Sequence, residues 1–221
     1  MDHEQSSIIT NYKPHYYNCD GINDTDWGCG WRCIQMLLSQ LNTEKDLFTI
    51  ALETQELTGD PFSIDFDNNK INMADTSWVM LYICDQAQKI GFDDAKFDML
   101  TLQTTDDIPN LYQKLQEHFL TETSLVVVSA SGATCLIAGV RSTDSLFDVY
   151  LVDPHLRVSD NEQPNFDVLQ GFGKGGRGWI NISEIIYKGK NDIGIEDDNE
   201  FLENSSCLFG FFQGIYTFPT T

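Results

Sequence analysis

Residues 29–41 (CGWRCIQMLLSQL) constrain the fold more than any other segment of the chain. Their apolar side chains would cover most of the circumference of a helix rather than a single stripe. Such a helix has to be surrounded by other elements, so we predict that it is largely buried. The residues before it, Asp24, Thr25 and Asp26, offer oxygens that we predict cap its N-terminus. The apolar positions are Trp31, Cys33, Ile34, Met36, Leu37, Leu38 and Leu41.

The remaining patterns place helices first and strands later. Further helices are predicted over residues 43–55, 76–90 and 109–120, with Thr76 or Ser77 as caps of the second of these. Short β-branched runs broken by glycine and polar clusters then predict antiparallel strands. The order indicates an α+β fold, in which a helical half packs on an antiparallel sheet. The predicted strand segments are SLVVVSA, CLIAGVR, LFDVYLVD and, near the end, SSCLFGFFQGIYTF.

We expect a single domain over residues 1–221, with residues 1–14 as a flexible tail. Residues 59–75 are predicted to be a turn-rich connection, and residues 189–206 an exposed acidic loop. No run of apolar residues is long enough for a transmembrane helix, and the N-terminus lacks the apolar region of a signal peptide. A cytoplasmic protein, present also in the nucleus, is therefore expected, and we expect it to be a monomer.

Charge limits the classes of partner. The formal net charge is −21, from 13 basic and 34 acidic residues. This balance argues against binding to nucleic acid, because phosphates require a basic surface. It is compatible with a basic protein partner.

The cysteines are expected to be free thiols in a reducing compartment. Cys29 and Cys33, together with Cys19 and His15, are the candidate ligands of a structural zinc site. The paired C-x2-C spacing of zinc sites is absent, so neither a metal nor a cofactor is predicted.

Cys29 has the position that a nucleophilic thiol needs. At the start of a helix, its sulfur would face the positive end of the helix dipole and amide groups without helical partners. Gly28 and Gly30 would allow the backbone of a substrate to approach, and Trp27 and Trp31 would form the walls of a narrow channel. The alternative is structural, with the glycines serving close packing and the tryptophans belonging to the core.

A histidine that could act as the base follows a predicted strand in the segment YLVDPHLR. Asp153 and His155 are two residues apart, so in an extended segment their side chains project to the same side. Pro154 between them favours that extended backbone. The carboxylate would then orient the imidazole and stabilise its protonated form. A turn with a surface histidine is the structural alternative.

Two segments together, YYNCDGINDTDWGCGWRCIQ and LVDPHL, resemble the UfSP family, the cysteine proteases specific for the ubiquitin-fold modifier. They are also similar to the related ZUFSP deubiquitinases. The resemblance implies a papain-like α+β fold, with Cys29 as nucleophile, His155 as general base and Asp153 as its orienting carboxylate. It further implies that the hydroxyl of Tyr17 helps to form the oxyanion hole. Trp78 and the segment GRGWINISEI match further family features.

Departures from the family pattern leave open which modifier is the substrate. Asp26 stands where the family usually has glycine, and Trp31 where it usually has tyrosine. The glycine-rich run of the ubiquitin-fold-modifier proteases is replaced here by SASGAT. The ZUFSP deubiquitinases take their histidine from the strand before the aspartate, and GATCLIAG contains none.

Three functions follow as hypotheses. The first is a peptidase or isopeptidase that acts on ubiquitin, or on a ubiquitin-like modifier, and on its conjugates. The second is a protease of the autophagy-modifier type, which shares the W-G-C and D-P-H motifs. The third is a ubiquitin-binding module that has kept the fold without activity.

Overall fold

The computed structural model describes residues 8–102, 107–143, 146–156, 165–191 and 207–215. These residues form five helices, eight strands and the turns between them. The helices are α1 (Cys29–Gln40), α2 (Leu47–Thr58), α3 (Thr76–Lys89), α4 (Ile108–Thr121) and α5 (Ile182–Asn191). The strands are β1 (Ile64–Asp65), β2 (Lys70–Ile71), β3 (Lys96–Leu102), β4 (Val126–Ala130), β5 (Ala133–Thr143), β6 (Leu146–Asp153), β7 (Gly176–Asn181) and β8 (Cys207–Gln213).

Six strands form one antiparallel sheet in the order β3-β8-β4-β5-β6-β7. The hairpin between β4 and β5 turns at Ser131 and Gly132, which both have positive φ angles (49° and 75°). Two successive residues of this kind give the tight turn whose twist matches that of antiparallel strands. The last strand, β8, pairs with both β3 and β4 and so lies inside the sheet.

Helices cover both faces of the sheet. Along β4, Val126 and Val128 belong to a core with α4 and α5, whereas Val127 belongs to a core with α1, α2 and α3. The alternation follows from the two-residue period of a strand, and it buries both faces. The predicted α+β class is confirmed, and the sheet carries helices on each side rather than on one.

Helix α1 lies in the middle of the first core, against α2, α3 and β5. Trp31, Cys33 and Ile34 are fully buried, as the apolar circumference predicts. The predicted capping is wrong: Gly28 is the N-cap residue and no side chain caps the helix. The carboxylate of Asp24 is instead bound to the guanidinium of Arg32.

Several segment boundaries differ from the predictions. The second helix begins at Leu47, capped by the Asp46 carboxylate, and α3 is capped by Asp75 rather than by Thr76 or Ser77. Ile9 donates its N–H to the carbonyl of Ala138 at 2.8 Å, so this part of the predicted tail is paired with β5.

Other predicted segments include residues that are not described. Residues 1–7 of the tail, and residues 192–206 of the acidic loop, lie outside the described part of the chain. The predicted turn-rich connection contains the short β1–β2 hairpin. Within the described ranges, no helix combines the length and the apolar character that crossing a membrane requires.

Candidate active site

Cys29 is the first residue of α1 and is only 3% exposed. In an α-helix the first amide groups have no helical acceptor and carry the positive end of the dipole. The thiol therefore lies where negative charge is favoured, as the sequence predicts.

His155 lies in the turn that follows β6, and its ring is held by Asp153. The Nδ1 atom of His155 is 2.5 Å from Oδ1 of Asp153, and the His155 amide donates to the same oxygen at 2.9 Å. The carboxylate is fully buried. Because Nδ1 is engaged, the remaining nitrogen, Nε2, is available for the thiol.

The thiol of Cys29 and the imidazole of His155 interact, and each stabilises the charged form of the other. Burial opposes ionisation of Cys29, but the hydrogen bond and the charge of His155 outweigh it, so the net pKa of Cys29 is lowered. Burial also disfavours protonated His155, but the Asp153 carboxylate and Cys29 raise the pKa of His155 to about 9. The two shifts together favour a thiolate–imidazolium pair near neutral pH.

Tyr17 reaches the same thiol from the N-terminal segment. Burial raises the pKa of Tyr17 far above its ordinary value, and the charge of Cys29 and its interaction with the Tyr17 hydroxyl act in the same direction. The phenol is therefore a neutral O–H donor beside the sulfur. The backbone amide of Tyr17 donates to the carbonyl of Pro154 at 3.0 Å. The Tyr17 ring contacts the His155 ring edge-to-face at a centroid distance of 5.2 Å.

Three main-chain groups complete the site, and the sequence did not indicate them. The backbone of Thr134, at the start of β5, helps to lower the pKa of Cys29. The amides of Gly173 and Lys174 donate to Oδ2 of Asp153 at 2.6 and 3.2 Å. The available signal was the glycine run GFGKGG at residues 171–176, because glycine turns present clustered amides to an anion.

Two of the predicted channel residues have structural roles. Trp31 is fully buried, and its indole N–H donates to the carbonyl of Asn72 at 2.7 Å. It therefore does not form a channel wall, because the surrounding core leaves it no exposed face. A Cβ atom at Gly30 would lie 2.8 Å from the Cβ atom of Ala74, so Gly30 serves packing between segments rather than access.

The other two predicted channel residues, Gly28 and Trp27, are also buried. A Cβ atom at Gly28 would lie 2.1 Å from Oδ2 of Asp24, so the glycine makes room for this carboxylate rather than for a substrate. Trp27 is 7% exposed and borders a surface depression between residues 23–27 and 68–70. A substrate contact at Trp27 stays a prediction.

A group of metal-binding residue types occurs at this site. Cys135, Asp153 and His155 bring one ligand atom each within 4.8 Å of one another. Both oxygens of the Asp153 carboxylate already accept hydrogen bonds from His155, Gly173 and Lys174. The donor set is thus committed to orienting the imidazole, and it fits that role better than it fits metal ligation.

A cysteine at the start of a central helix that faces a histidine beside a sheet, with a polar side chain orienting the imidazole, is an arrangement typical of the papain-like fold. The family model of Peptidase family C78 matches residues 3–54, which contain Tyr17 and Cys29. A "Probable Ufm1-specific protease" from Oryza sativa subsp. japonica is 21% identical over 162 residues, which is 71% of this chain and 24% of that protein. The crystal structure of UfSP from C. elegans has a TM-score of 0.64 and 16% identity, and covers 97% of this chain and 35% of that one.

These matches confirm the predicted papain-like fold and the resemblance to the UfSP family. The chain spans about a quarter of the Oryza sativa relative (24%) and about a third of the C. elegans protein (35%). The family model ends before Asp153 and His155, so the second half of the candidate site rests on the geometry described above.

Proposed function

We propose that this chain is a thiol-dependent peptidase that cleaves after the C-terminal glycine of a ubiquitin-like modifier, and that the ubiquitin-fold modifier is its substrate. The observation that carries the proposal is the interaction of Cys29, at the start of α1, with His155, whose ring is held by the buried carboxylate of Asp153. The relatives support the choice of modifier, since the Oryza sativa protein is named as a probable protease specific for it.

The proposed reaction uses four side chains in sequence. The Cys29 thiolate attacks the carbonyl carbon of the terminal glycine, and the developing oxyanion accepts hydrogen bonds from the Tyr17 hydroxyl and the Cys29 amide. Protonated His155 gives its Nε2 proton to the leaving amine as the C–N bond breaks, which leaves a thioester. His155 then takes a proton from water, whose oxygen attacks the thioester and releases the carboxylate and the thiol. Asp153 keeps the ring oriented throughout.

Access to the nucleophile favours a substrate with a slender C-terminus. Cys29 is 3% exposed and Tyr17 is also 3% exposed, so only a thin chain can bring a carbonyl carbon to the sulfur. Glycine has no side chain, and its backbone fits narrow openings that other residues do not. Ubiquitin-type modifiers end in glycine, which fits this restriction.

The test is labelling by full-length modifiers that carry an electrophile at the C-terminus. We expect the ubiquitin-fold modifier to form a covalent adduct that Cys29→Ala abolishes. Cys19→Ala is the matched control, because Cys19 is an exposed thiol that a non-specific electrophile would also label. The adduct should persist in that variant.

The other functions give different results in the same assay. Labelling by ubiquitin alone would retain the peptidase and overturn the choice of modifier. Cleavage of autophagy-modifier precursors instead would assign the second hypothesis. A folded protein that binds a modifier, that no modifier labels and that never turns over would be a binding module, and the proposed activity would be wrong.

A further inference from the structure

Arg32 is buried one helical turn after Cys29, and its charge is directed at the loop that carries Tyr17. Its side chain is 0% exposed. The two terminal nitrogens each lie 2.7 Å from a carboxylate oxygen of Asp20, and Nε lies 2.7 Å from Oδ2 of Asp24. Nη1 also donates to Oε1 of Gln35 at 2.9 Å. The guanidinium is therefore paired on both of its edges, as a buried charge requires.

The partner carboxylates belong to the segment between Tyr17 and Cys29. Besides Arg32, Asp24 accepts the amide of Asn18 at 2.8 Å through Oδ1, and its carbonyl accepts the amide of Gly28, also at 2.8 Å. Asn18 directly follows Tyr17. The position of Tyr17 is thus tied to the helix that carries the nucleophile through Asn18, Asp24 and Arg32.

The backbone of this loop includes conformations that its residues do not favour on their own. Asn18 and Asp26 have positive φ angles of 62° and 73°, in a region that residues with a Cβ atom adopt infrequently. Such conformations persist when surrounding contacts enforce them. The fork of Arg32 supplies contacts of this kind, and its planar geometry makes the pairing specific.

We propose that Arg32 is a positioning residue, which sets the Tyr17 hydroxyl against Cys29 by holding the loop of residues 17–28 on α1. The inference rests on the proposed function, in which that hydroxyl stabilises the oxyanion. A donor of this kind acts in the transition state, so its displacement lowers kcat and leaves KM unchanged. Removal of one oxyanion donor typically costs about 10²–10³ in kcat.

Arg32→Lys is the decisive variant, because lysine keeps the charge and loses the two-edged fork. We expect Arg32→Lys to lower kcat by about tenfold or more and to leave KM unchanged. This loss in kcat should be smaller than that of Tyr17→Phe, which removes the hydroxyl itself. The double variant should lose less than the product of the two single effects, since both act through one hydroxyl. Arg141→Lys is the matched control: Arg141 pairs with Asp148 at 3.2 Å on β5 and β6, and its variant should retain parental kinetics.

Two further readouts separate positioning from folding and from the proposed activity. Alkylation of Cys29 by iodoacetamide needs no oxyanion hole, so the pH midpoint of Arg32→Lys should stay close to the parental one and rise only by the small contribution of the Tyr17 hydroxyl to the pKa of Cys29. The NMR resonance of the Tyr17 ring, assigned by its loss in Tyr17→Phe, should shift in Arg32→Lys and stay in Arg141→Lys. An unshifted resonance, or multiplicative effects in the double variant, would overturn the proposal.

These readouts also cover the two ways in which the main variant can fail. If Arg32→Lys does not fold, Asp20→Asn gives the same test. The Asp20 side chain is 35% exposed, and removal of its charge leaves the ion pair between Arg32 and Asp24 in place. If the parent cleaves no modifier, the proposed function fails, and the Tyr17 resonance still decides the role of Arg32.

Discussion

His155→Ala tests whether Cys29 is held as a thiolate. Burial raises the pKa of Cys29, and the hydrogen bond and charge of His155 bring the net pKa below its ordinary value. Smaller contributions from the Thr134 amide and the Tyr17 hydroxyl act in the same direction as His155. Without the imidazole, burial remains as the largest influence, so we expect the pKa of Cys29 to rise to its ordinary value of ~8.5 or above.

The size of the effect follows from the ionised fraction. A thiol at the ordinary pKa of ~8.5 is only about 3% ionised near pH 7, and lowering the pKa enlarges that fraction by up to about tenfold for each unit. The more basic thiolate is intrinsically more nucleophilic, by about threefold for each unit with a Brønsted coefficient of ~0.4–0.5. At a pH below both pKa values, alkylation of the variant should therefore be slower by about threefold for each unit by which the pKa of Cys29 rises.

The assay is the rate of iodoacetamide alkylation across pH, quantified separately for each cysteine-containing peptide by mass spectrometry. Burial raises the pKa of Cys19, whose midpoint serves as an internal reference in every sample. His118→Ala is the control substitution, because His118 hydrogen bonds to the carbonyl of Ser124 outside the candidate site. A Cys29 midpoint that is equal in the parent and in His155→Ala would refute the ion-pair argument.

Asp153→Asn should lower the pKa of His155 from about 9, because burial disfavours the protonated ring and the carboxylate no longer offsets it. Since the imidazolium that protonates the leaving amine is lost as pH rises through the pKa of His155, the alkaline limit of modifier cleavage should move to lower pH, and kcat should fall by about 10²–10⁴. Gly28→Ala should reduce the free energy of unfolding by about 1–3 kcal/mol in urea titrations, because its Cβ atom would lie 2.1 Å from Oδ2 of Asp24. Trp31→Phe should cost about 1–3 kcal/mol in the same titration, since a fully buried side chain is made smaller and its hydrogen bond to the Asn72 carbonyl is lost. It should leave the rate of modifier labelling near the parental value, whereas a channel wall would change that rate.

The parts of the site that could be predicted are those set by local geometry. The burial of α1 follows from its own apolar circumference, and no knowledge of its neighbours is needed. The contact between Asp153 and His155 could be predicted from their two-residue spacing, but the extended backbone assumed for it is wrong, because Pro154 and His155 lie in a turn. The contact of this pair with Cys29 could be predicted only from the family resemblance, because sequence spacing does not show which distant segments lie together.

The errors concern residues whose roles depend on distant partners. Asp24 has a suitable oxygen for a cap, but the same oxygen binds Arg32 more strongly as an ion pair. Gly30 is required by Ala74, which approaches from the segment before α3. Such requirements are properties of the packed fold, and the residue types alone do not contain them.

The missed elements have weak patterns for similar reasons. Strand β3 (KFDMLTL) lies at the edge of the sheet and mixes polar with apolar residues. Strand β7 (GRGWIN) contains two glycines, which carry no strand preference. Pairing with β8 and β6 makes strands of these segments, and that pairing is a tertiary effect.

The hydrogen bond from Tyr17 to Pro154 links the N-terminal loop to the turn that carries the base. The carboxylate that orients this base is held in turn by amides at residues 173 and 174. Three segments that are remote in the chain must therefore dock before the sulfur gains its partner, and contacts of this range form slowly. The reactivity of Cys29 at acidic pH therefore reports the last stage of folding, since it arises only when the native topology is complete.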